Sequence, residues 1–317
     1  MNRYPTEPVP GHFTNRFVCY FAATRPAFLS VTFIACLLGL ACAYGSGISI
    51  NTGTAILTIF FALVAHAGAN VINDYHDARS GADAANTARL YPFTGGSRFI
   101  QNNVLTPRQT ACFGYTLLAI VIPAGLWLTW QTGPGLLLIG LLGLLCGWAY
   151  SAPLLALASR GLGEIAIVAG WLLIIIGTDY VQRTRFSLLP VAAGASYVLL
   201  VANLLYINQF PDRESDAATG KHTLVVRLGP ETAKWGYLLI ALLAYGWVLF
   251  FTNLPVLPHQ SAAAAITLIL SFSAARELLT YADTPRHLRK AIIHTILATN
   301  IHGLILAATL AWGRWPV

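Results

Sequence analysis

The chain has 317 residues, 56% of them hydrophobic and only 10% charged, with a formal net charge of +7. Soluble domains carry about a quarter charged residues, so this chain lacks the polar coat of a water-facing surface; the composition excludes an ordinary soluble enzyme and points to a polytopic protein of the lipid bilayer. The excess of base would suggest nucleic acid in a soluble protein, but here it lies in short connections between apolar runs, where it encodes topology, and no nucleic-acid partner is expected.

Residues 1–24 are mixed in character and carry Pro5, Pro8, Pro10 and Gly11, so they read as a cytoplasmic N-terminal segment and not as a secretory signal. A spanning helix needs about 20 mostly apolar residues. Nine stretches meet that demand: 27–45, 54–74, 110–130, 133–152, 163–182, 187–208, 232–253, 260–279 and 291–312. The third and fourth are nearly fused, with Gly133-Pro134-Gly135 marking the turn between them. The expected fold is therefore all-α, a single domain over 1–317 built as a bundle of nine transmembrane helices. Cys19, Cys36, Cys42, Cys112 and Cys146 are scattered without a CxxC pair, which argues for apolar packing residues over a zinc site or disulfide framework.

Of the 19 Lys and Arg residues, 16 fall on the side of the N-terminus and the even-numbered connections; only Arg183, Arg185 and Arg314 fall on the other. Basic residues favour the cytoplasmic side, which places the N-terminus inside an inner (cytoplasmic) membrane and the C-terminus outside. Acidic residues share the basic side, Asp179 excepted, and concentrate in two long connections, 75–109 and 209–231.

The first acidic cluster is Asn70, Asn73, Asp74, Asp77 and Asp83. At about 100° per residue Asn70, Asp74 and Asp77 share one face of the second helix as it leaves the membrane, with His66 one turn below. Polar groups stacked this way must face protein or a wet cavity, and Gly81 is placed to turn the chain so that Asp83 returns toward the pair. The second cluster holds Asp212 and Asp216, four apart, followed by Gly220 and Lys221. Pro211 is expected to end or kink the sixth helix near Phe210.

Carboxylates that converge without a cation repel one another, whereas Mg²⁺ prefers oxygen ligands and binds one or two carboxylates together with substrate phosphates. Two aspartate groups with Mg²⁺ can hold a diphosphate leaving group, and Arg79, Arg98, Arg160, Lys221 and Arg227 are candidates to contact its remaining oxygens. No GxxxxGK[ST] loop is present; Gly95-Gly96-Ser97 beside Arg98 is a short flexible segment on the same side. A carrier coupled to ion flow is the alternative class, but it would place carboxylates near the bilayer midplane.

These motifs resemble the UbiA superfamily of membrane prenyltransferases: Asn70, Asn73, Asp74, Asp77, Gly81 and Asp83 look like its first aspartate motif, and Asp212, Asp216, Gly220, Lys221, Thr223, Arg227 and Gly229 like its second. Thr94 to Arg98 with Ile100 and Gln101, Leu105 with Pro107 and Arg108, and Tyr150 to Pro153 through Arg160, Gly161, Gly163 and Glu164 resemble the 1,4-dihydroxy-2-naphthoate prenyltransferase branch. The resemblance implies a nine-helix bundle with a central cavity open to the cytoplasmic face. It implies two Mg²⁺ ions, one on Asp74, Asp77 and Asp83 with Asn70 or Asn73, the other on Asp212 and Asp216. It implies transfer from a polyprenyl diphosphate, through an allylic cation, to an aromatic quinone precursor, with Tyr75, Phe93, Tyr150 and Tyr206 as aromatic faces for the cation. Naphthoate is the expected acceptor; 4-hydroxybenzoate, homogentisate, a porphyrin-type ring and a glycerol-type lipid are the alternatives. Gln209-Phe210-Pro211 departs from the family pattern ahead of the second motif.

Overall fold

The computed structural model describes residues 6–152 and 154–312; Arg3, Pro5, Pro153 and Arg314 lie outside the described residues. Among the described residues all regular structure is helical. A short α1 (Arg16–Ala23) precedes the first span, in which a 3₁₀ turn at Pro26–Phe28 feeds α2 (Leu29–Gly45). α3 (Thr52–Ser80) starts at Asn51, whose side chain accepts the Thr54 amide at 3.0 Å, and stops at Gly81, where φ is +84°. α4 (Ala82–Ala85) is a single turn. α5 (Pro107–Thr132) opens with a reciprocal cap, the Gln109 amide donating to Thr106 Oγ1 at 3.2 Å and the Thr106 amide to Gln109 Oε1 at 2.9 Å. α6 (Gly135–Ser151), α7 (Gly163–Arg183), α8 (Leu189–Ala218), α9 (Leu224–Leu228), α10 (Pro230–Asn253), α11 (Leu268–Tyr281, after a 3₁₀ run from His259) and α12 (Arg289–Ala311) complete the chain.

Eight helices among the described residues are long and apolar enough to cross a bilayer, which makes this a multi-pass membrane protein. α6, the fourth of the expected spans, is as apolar but has 17 residues; at 1.5 Å per residue it reaches about 25 Å, somewhat less than a hydrocarbon core of about 30 Å. α5 and α6 turn Trp127, Trp130, Leu138, Leu141, Leu145 and Trp148 outward, an apolar surface suited to the bilayer.

Two helices run past the ends of their apolar windows. α3 continues from 74 to Ser80 and α8 from 208 to Ala218, so parts of both acidic connections are helix and not loop. Loss of hydropathy ends a lipid-facing window, but past it both helices keep one face against protein, through Asp74 on α3 and Ser215 and Asp216 on α8, while Arg79, Ser80, Ala217 and Ala218 are exposed. Pro211 neither ends nor interrupts α8, contrary to expectation. A proline inside a helix costs about 3 kcal/mol, yet Tyr206, Ile207 and Phe210 on the turns before it are buried against Val225, Ala233, Tyr237, Leu288 and Ile292. That tertiary packing outweighs the local penalty.

α8 is the centre of the bundle. Its Ala193, Tyr197 and Val198 meet Val31, Ile34 and Leu38 of α2, Ile175 of α7 and Leu306 of α12 in one cluster. Tyr197 Oη donates to the Val31 carbonyl at 2.7 Å, so even the polar end of this core residue is satisfied.

Candidate active site

The inner face of α3 becomes polar over its last three turns. Asn70 Nδ2 donates to the Thr24 carbonyl at 3.0 Å, and Asn73 Nδ2 to Asp77 Oδ2 at 2.9 Å. Ser151 Oγ, at the end of α6, donates to Asn73 Oδ1 at 3.0 Å. Asp74 is buried and accepts the Ser97 amide at 3.3 Å. Gly81, in its left-handed conformation, turns the chain directly into α4 and brings Asp83 back beside the pair. There Asp83 accepts from Gln101 Nε2 at 3.2 Å. Burial, and after it the charges of Asp77 and Asp74, push the Asp83 carboxyl up to about 8.

The continuous α8 places Asp212 and Asp216 on one face. Asn86, just after α4, donates to Asp212 Oδ1 at 2.5 Å and so ties the two clusters together. Lys221 closes the join: its ammonium lies 3.1 Å from Asp77 Oδ1 and 3.7 Å from Asp216 Oδ1. Burial alone would lower its pKa, but Asp77 and Asp216 hold the ammonium above the ordinary lysine range. The acidic ends of α3 and α8 therefore meet, with one lysine between them.

The loop that covers them is strained. Gly95, Gly96 and Arg98 all have left-handed backbone angles, at φ +76°, +72° and +67°. For Arg98 that conformation costs about 1–3 kcal/mol, and the loop that holds it directs the Ser97 amide at Asp74. A Cβ on Gly96 would sit 2.9 Å from Asp83 Cγ and closer still to its Oδ2. Gly96→Ala is accordingly expected to lower activity at least about tenfold by displacing the Asp83 carboxyl and straining the turn. Gly147→Ala, where the added methyl meets nothing within 4 Å, is expected to change it little. Equal rates for the two purified variants would contradict the role given to this turn.

The five basic candidates divide. Lys221 is central. Arg98 is buried, donates from Nη1 to the Asp83 carbonyl at 2.5 Å and has an Nε without a hydrogen-bond partner. Arg160 and Arg227 lie exposed at the rim, Arg160 donating to the Leu154 carbonyl and Arg227, packed on Gly161, to the His222 carbonyl. Arg79 stands about 200° around α3 from Asp77 and bonds Tyr75, away from the aspartates. Of the aromatic candidates, Tyr75 goes with Arg79, Phe93 lies beneath the Arg289 guanidinium, and Tyr206 is committed to the Ala233 carbonyl. Tyr150 is the one whose charge environment includes Lys221, Asp77 and Asp216.

Two site residues carry no signal in the sequence, whereas Gln101 is marked by its place beside the Thr94 to Arg98 stretch. Asn86 sits in the irregular stretch after α4 and has no motif spacing to mark it. Glu7 comes from the N-terminal segment, accepting from Arg89 Nε at 2.7 Å and Asn102 Nδ2 at 3.1 Å. Burial works against its charge, but Arg89 and Asn102 hold the Glu7 carboxyl below its ordinary value. The N-terminal segment is thus pinned onto the covering loop.

No group of three or more His, Cys, Asp or Glu side chains among the described residues encloses a metal by itself. Mg²⁺ held with a diphosphate ordinarily takes one or two carboxylates and completes its shell with substrate oxygens and water, so it does not require such a group. The Asn86 Oδ1 oxygen beside Asp212 and the Asn208 Oδ1 one turn before it are both buried without a hydrogen-bond partner, further hard oxygen donors at the same place. The residues fit a divalent cation.

An all-helical membrane bundle that gathers carboxylates from two helix ends under a strained loop has the groups for an intramembrane enzyme site. The chain belongs to the UbiA prenyltransferase family, whose sequence signature matches residues 32–297, and it is a membrane prenyltransferase. It is 28% identical over 261 residues to the 1,4-dihydroxy-2-naphthoate octaprenyltransferase of Mycobacterium tuberculosis, covering 82% of this chain and 86% of that one. Among solved structures, a digeranylgeranylglyceryl phosphate synthase superposes with a TM-score of 0.65 at 17% identity, covering 94% of this chain and 99% of that one. A UbiA homologue from Archaeoglobus fulgidus, bound to GPP and Mg²⁺, superposes with a TM-score of 0.54 at 15% identity over 90% of this chain and 99% of that one.

Proposed function

We propose that this protein transfers a polyprenyl group from a polyprenyl diphosphate to an aromatic acceptor, 1,4-dihydroxy-2-naphthoate, in a Mg²⁺-dependent reaction of menaquinone biosynthesis. The observation that carries the reading is the meeting of the α3 and α8 acidic ends across Lys221. In this reading Asp74, Asp77 and Asp83 from the α3 side and Asp212 and Asp216 from α8 would each lend one or two carboxylates to a pair of ions whose remaining ligands come from the diphosphate and water. Bound there, Mg²⁺ would neutralise the charge that grows on the diphosphate as its C–O bond breaks.

The chain's own groups do the rest. Lys221, freed from Asp77 and Asp216 when a cation compensates them, is placed to donate to a diphosphate oxygen, with Arg98 inside and Arg160 and Arg227 at the rim. The bond electrons leave with the diphosphate, the allylic carbon is attacked by an electron-rich ring carbon, and loss of the acceptor's carboxyl group as CO₂ returns an electron pair to the ring and restores its aromaticity. Tyr150, which shares the charged surroundings of Lys221, Asp77 and Asp216, would offer its ring to the cation, an effect worth about 0.5–2 kcal/mol. The basic bias of the connections supports a site on the cytoplasmic side of an inner membrane, with the C-terminus outside.

The test offers purified protein naphthoate, 4-hydroxybenzoate and homogentisate with several prenyl diphosphates, and reads products by mass spectrometry. Product is expected from naphthoate alone, abolished by EDTA and restored by excess Mg²⁺. Turnover that survives EDTA would remove the metal from the mechanism; product from 4-hydroxybenzoate alone would reassign the acceptor.

A further inference from the structure

On the outer side of α3, at the same end of the bundle as the aspartates, an open cavity of about 790 Å³ lies between α3 and α5. It belongs to the size range of small-molecule sites. One wall is Tyr75 and Arg79; the other is a single face of α5, Arg108, Cys112, Tyr115 and Ala119, spaced three and four residues apart. Tyr115 is 52% exposed, and Arg79 and Arg108 are exposed as well. Arg79 is held in place, donating to Tyr75 Oη at 3.3 Å and lying 5.7 Å over its ring. Among the described residues neither Arg79 nor Arg108 forms an ion pair with a carboxylate. Asp77 points the other way, about 200° around the helix.

We infer that this groove binds an anionic glycerophospholipid, its phosphate between Arg79 and Arg108 and its acyl chains running down past Tyr115 and Ala119. The order of chemistry along the groove is the order within a leaflet: cation at the mouth, tyrosine at the interface, small apolar residues below. Two uncompensated guanidiniums in one cleft are complementary to a phosphate without a neighbouring cation, as in phosphatidylglycerol. Phosphatidylcholine would bring its own ammonium against them. A free phosphate would match the arginines and leave the apolar wall uncovered. On the proposed function the prenyl diphosphate donor is served by the carboxylates on the opposite face of α3, and among the described residues no carboxylate lines the groove to hold a metal for it.

Native mass spectrometry of the full chain, stripped of lipid in a neutral detergent, tests this with dioleoylphosphatidylglycerol and dioleoylphosphatidylcholine as probes. Phosphatidylglycerol is expected to bind roughly tenfold more tightly than phosphatidylcholine, and Arg79→Gln with Arg108→Gln to erase the difference. Cys112→Trp, which fills the groove and keeps both charges, is expected to weaken phosphatidylglycerol binding too; it carries the test should the double variant fail to fold. Equal binding of the two lipids by the unaltered protein, or full phosphatidylglycerol binding by either folded variant, would overturn the proposal. So would displacement of the lipid by millimolar inorganic phosphate or geranyl diphosphate, the first marking a simple anion site and the second a donor site.

Discussion

Asp212→Asn is expected to cut prenyl transfer by roughly 10²–10³-fold while leaving the protein folded. The substitution preserves shape, and an amide oxygen at the same place can still accept from Asn86 Nδ2, which now reaches Asp212 Oδ1 at 2.5 Å. What it removes is one negative charge from the set that compensates a cation. Because Asp212 and Asp216 share a face of α8, the loss should fall on turnover at saturating prenyl diphosphate and be eased only in part by raised Mg²⁺. Asp74→Asn is the matching change on α3, where the Ser97 amide can still find an oxygen. Initial rates of product formation, paired with melting temperatures in detergent, measure both. Retention of more than a third of normal turnover by either variant would take that carboxylate out of the machinery.

The second large effect lies at the opposite end of the bundle. Arg183 Nε donates to Asp179 Oδ2 at 2.8 Å and its Nη2 to Oδ1 at 2.9 Å, a two-point pair one helical turn apart with both side chains nearly inaccessible. Arg183 also donates to the Cys42 carbonyl and to Ser46 Oγ, fastening the end of α7 to the end of α2. Asp179→Ala leaves a buried guanidinium without its counter-ion, which costs about 3–5 kcal/mol and should lower the melting temperature by roughly 10 °C. Removing both charges together, as Asp179→Leu with Arg183→Met, should cost less than the single change, because no unpaired charge remains. A double variant less stable than Asp179→Ala would mean that the hydrogen bonds to α2, and not the charge balance, hold this end.

Much of this was legible in the chain. The eight long helices follow from apolar runs of sufficient length, and the polar stripe of Asn70, Asp74 and Asp77 follows from helical periodicity. The turn at Gly81 that returns Asp83 could also be read, since a left-handed glycine after a helix is a local device. Pro211 misled for the same reason: a proline's penalty is local, and it was outweighed by contacts from α9, α10 and α12 that no local rule contains. Arg79 has the right residue type and the right neighbourhood in sequence for a diphosphate contact, yet α3 continues far enough to carry it to the outer face. Asn86 and Glu7 were invisible because nothing in spacing or residue type distinguishes them from ordinary loop polar groups.

Composition and hydropathy alone determined that the chain lives in a bilayer, where eight of the nine expected spans lie and where its carboxylates concentrate, because each depends on residues within a few turns of one another. Tertiary structure decided that the α3 and α8 ends meet across Lys221, that Asn86 and the loop carrying Gly96 close over them, and which arginines face the site. Those outcomes depend on α8 being packed between α2, α7, α10 and α12, a sum of contacts between residues far apart in the chain, and such a sum has no signature in any single stretch of sequence.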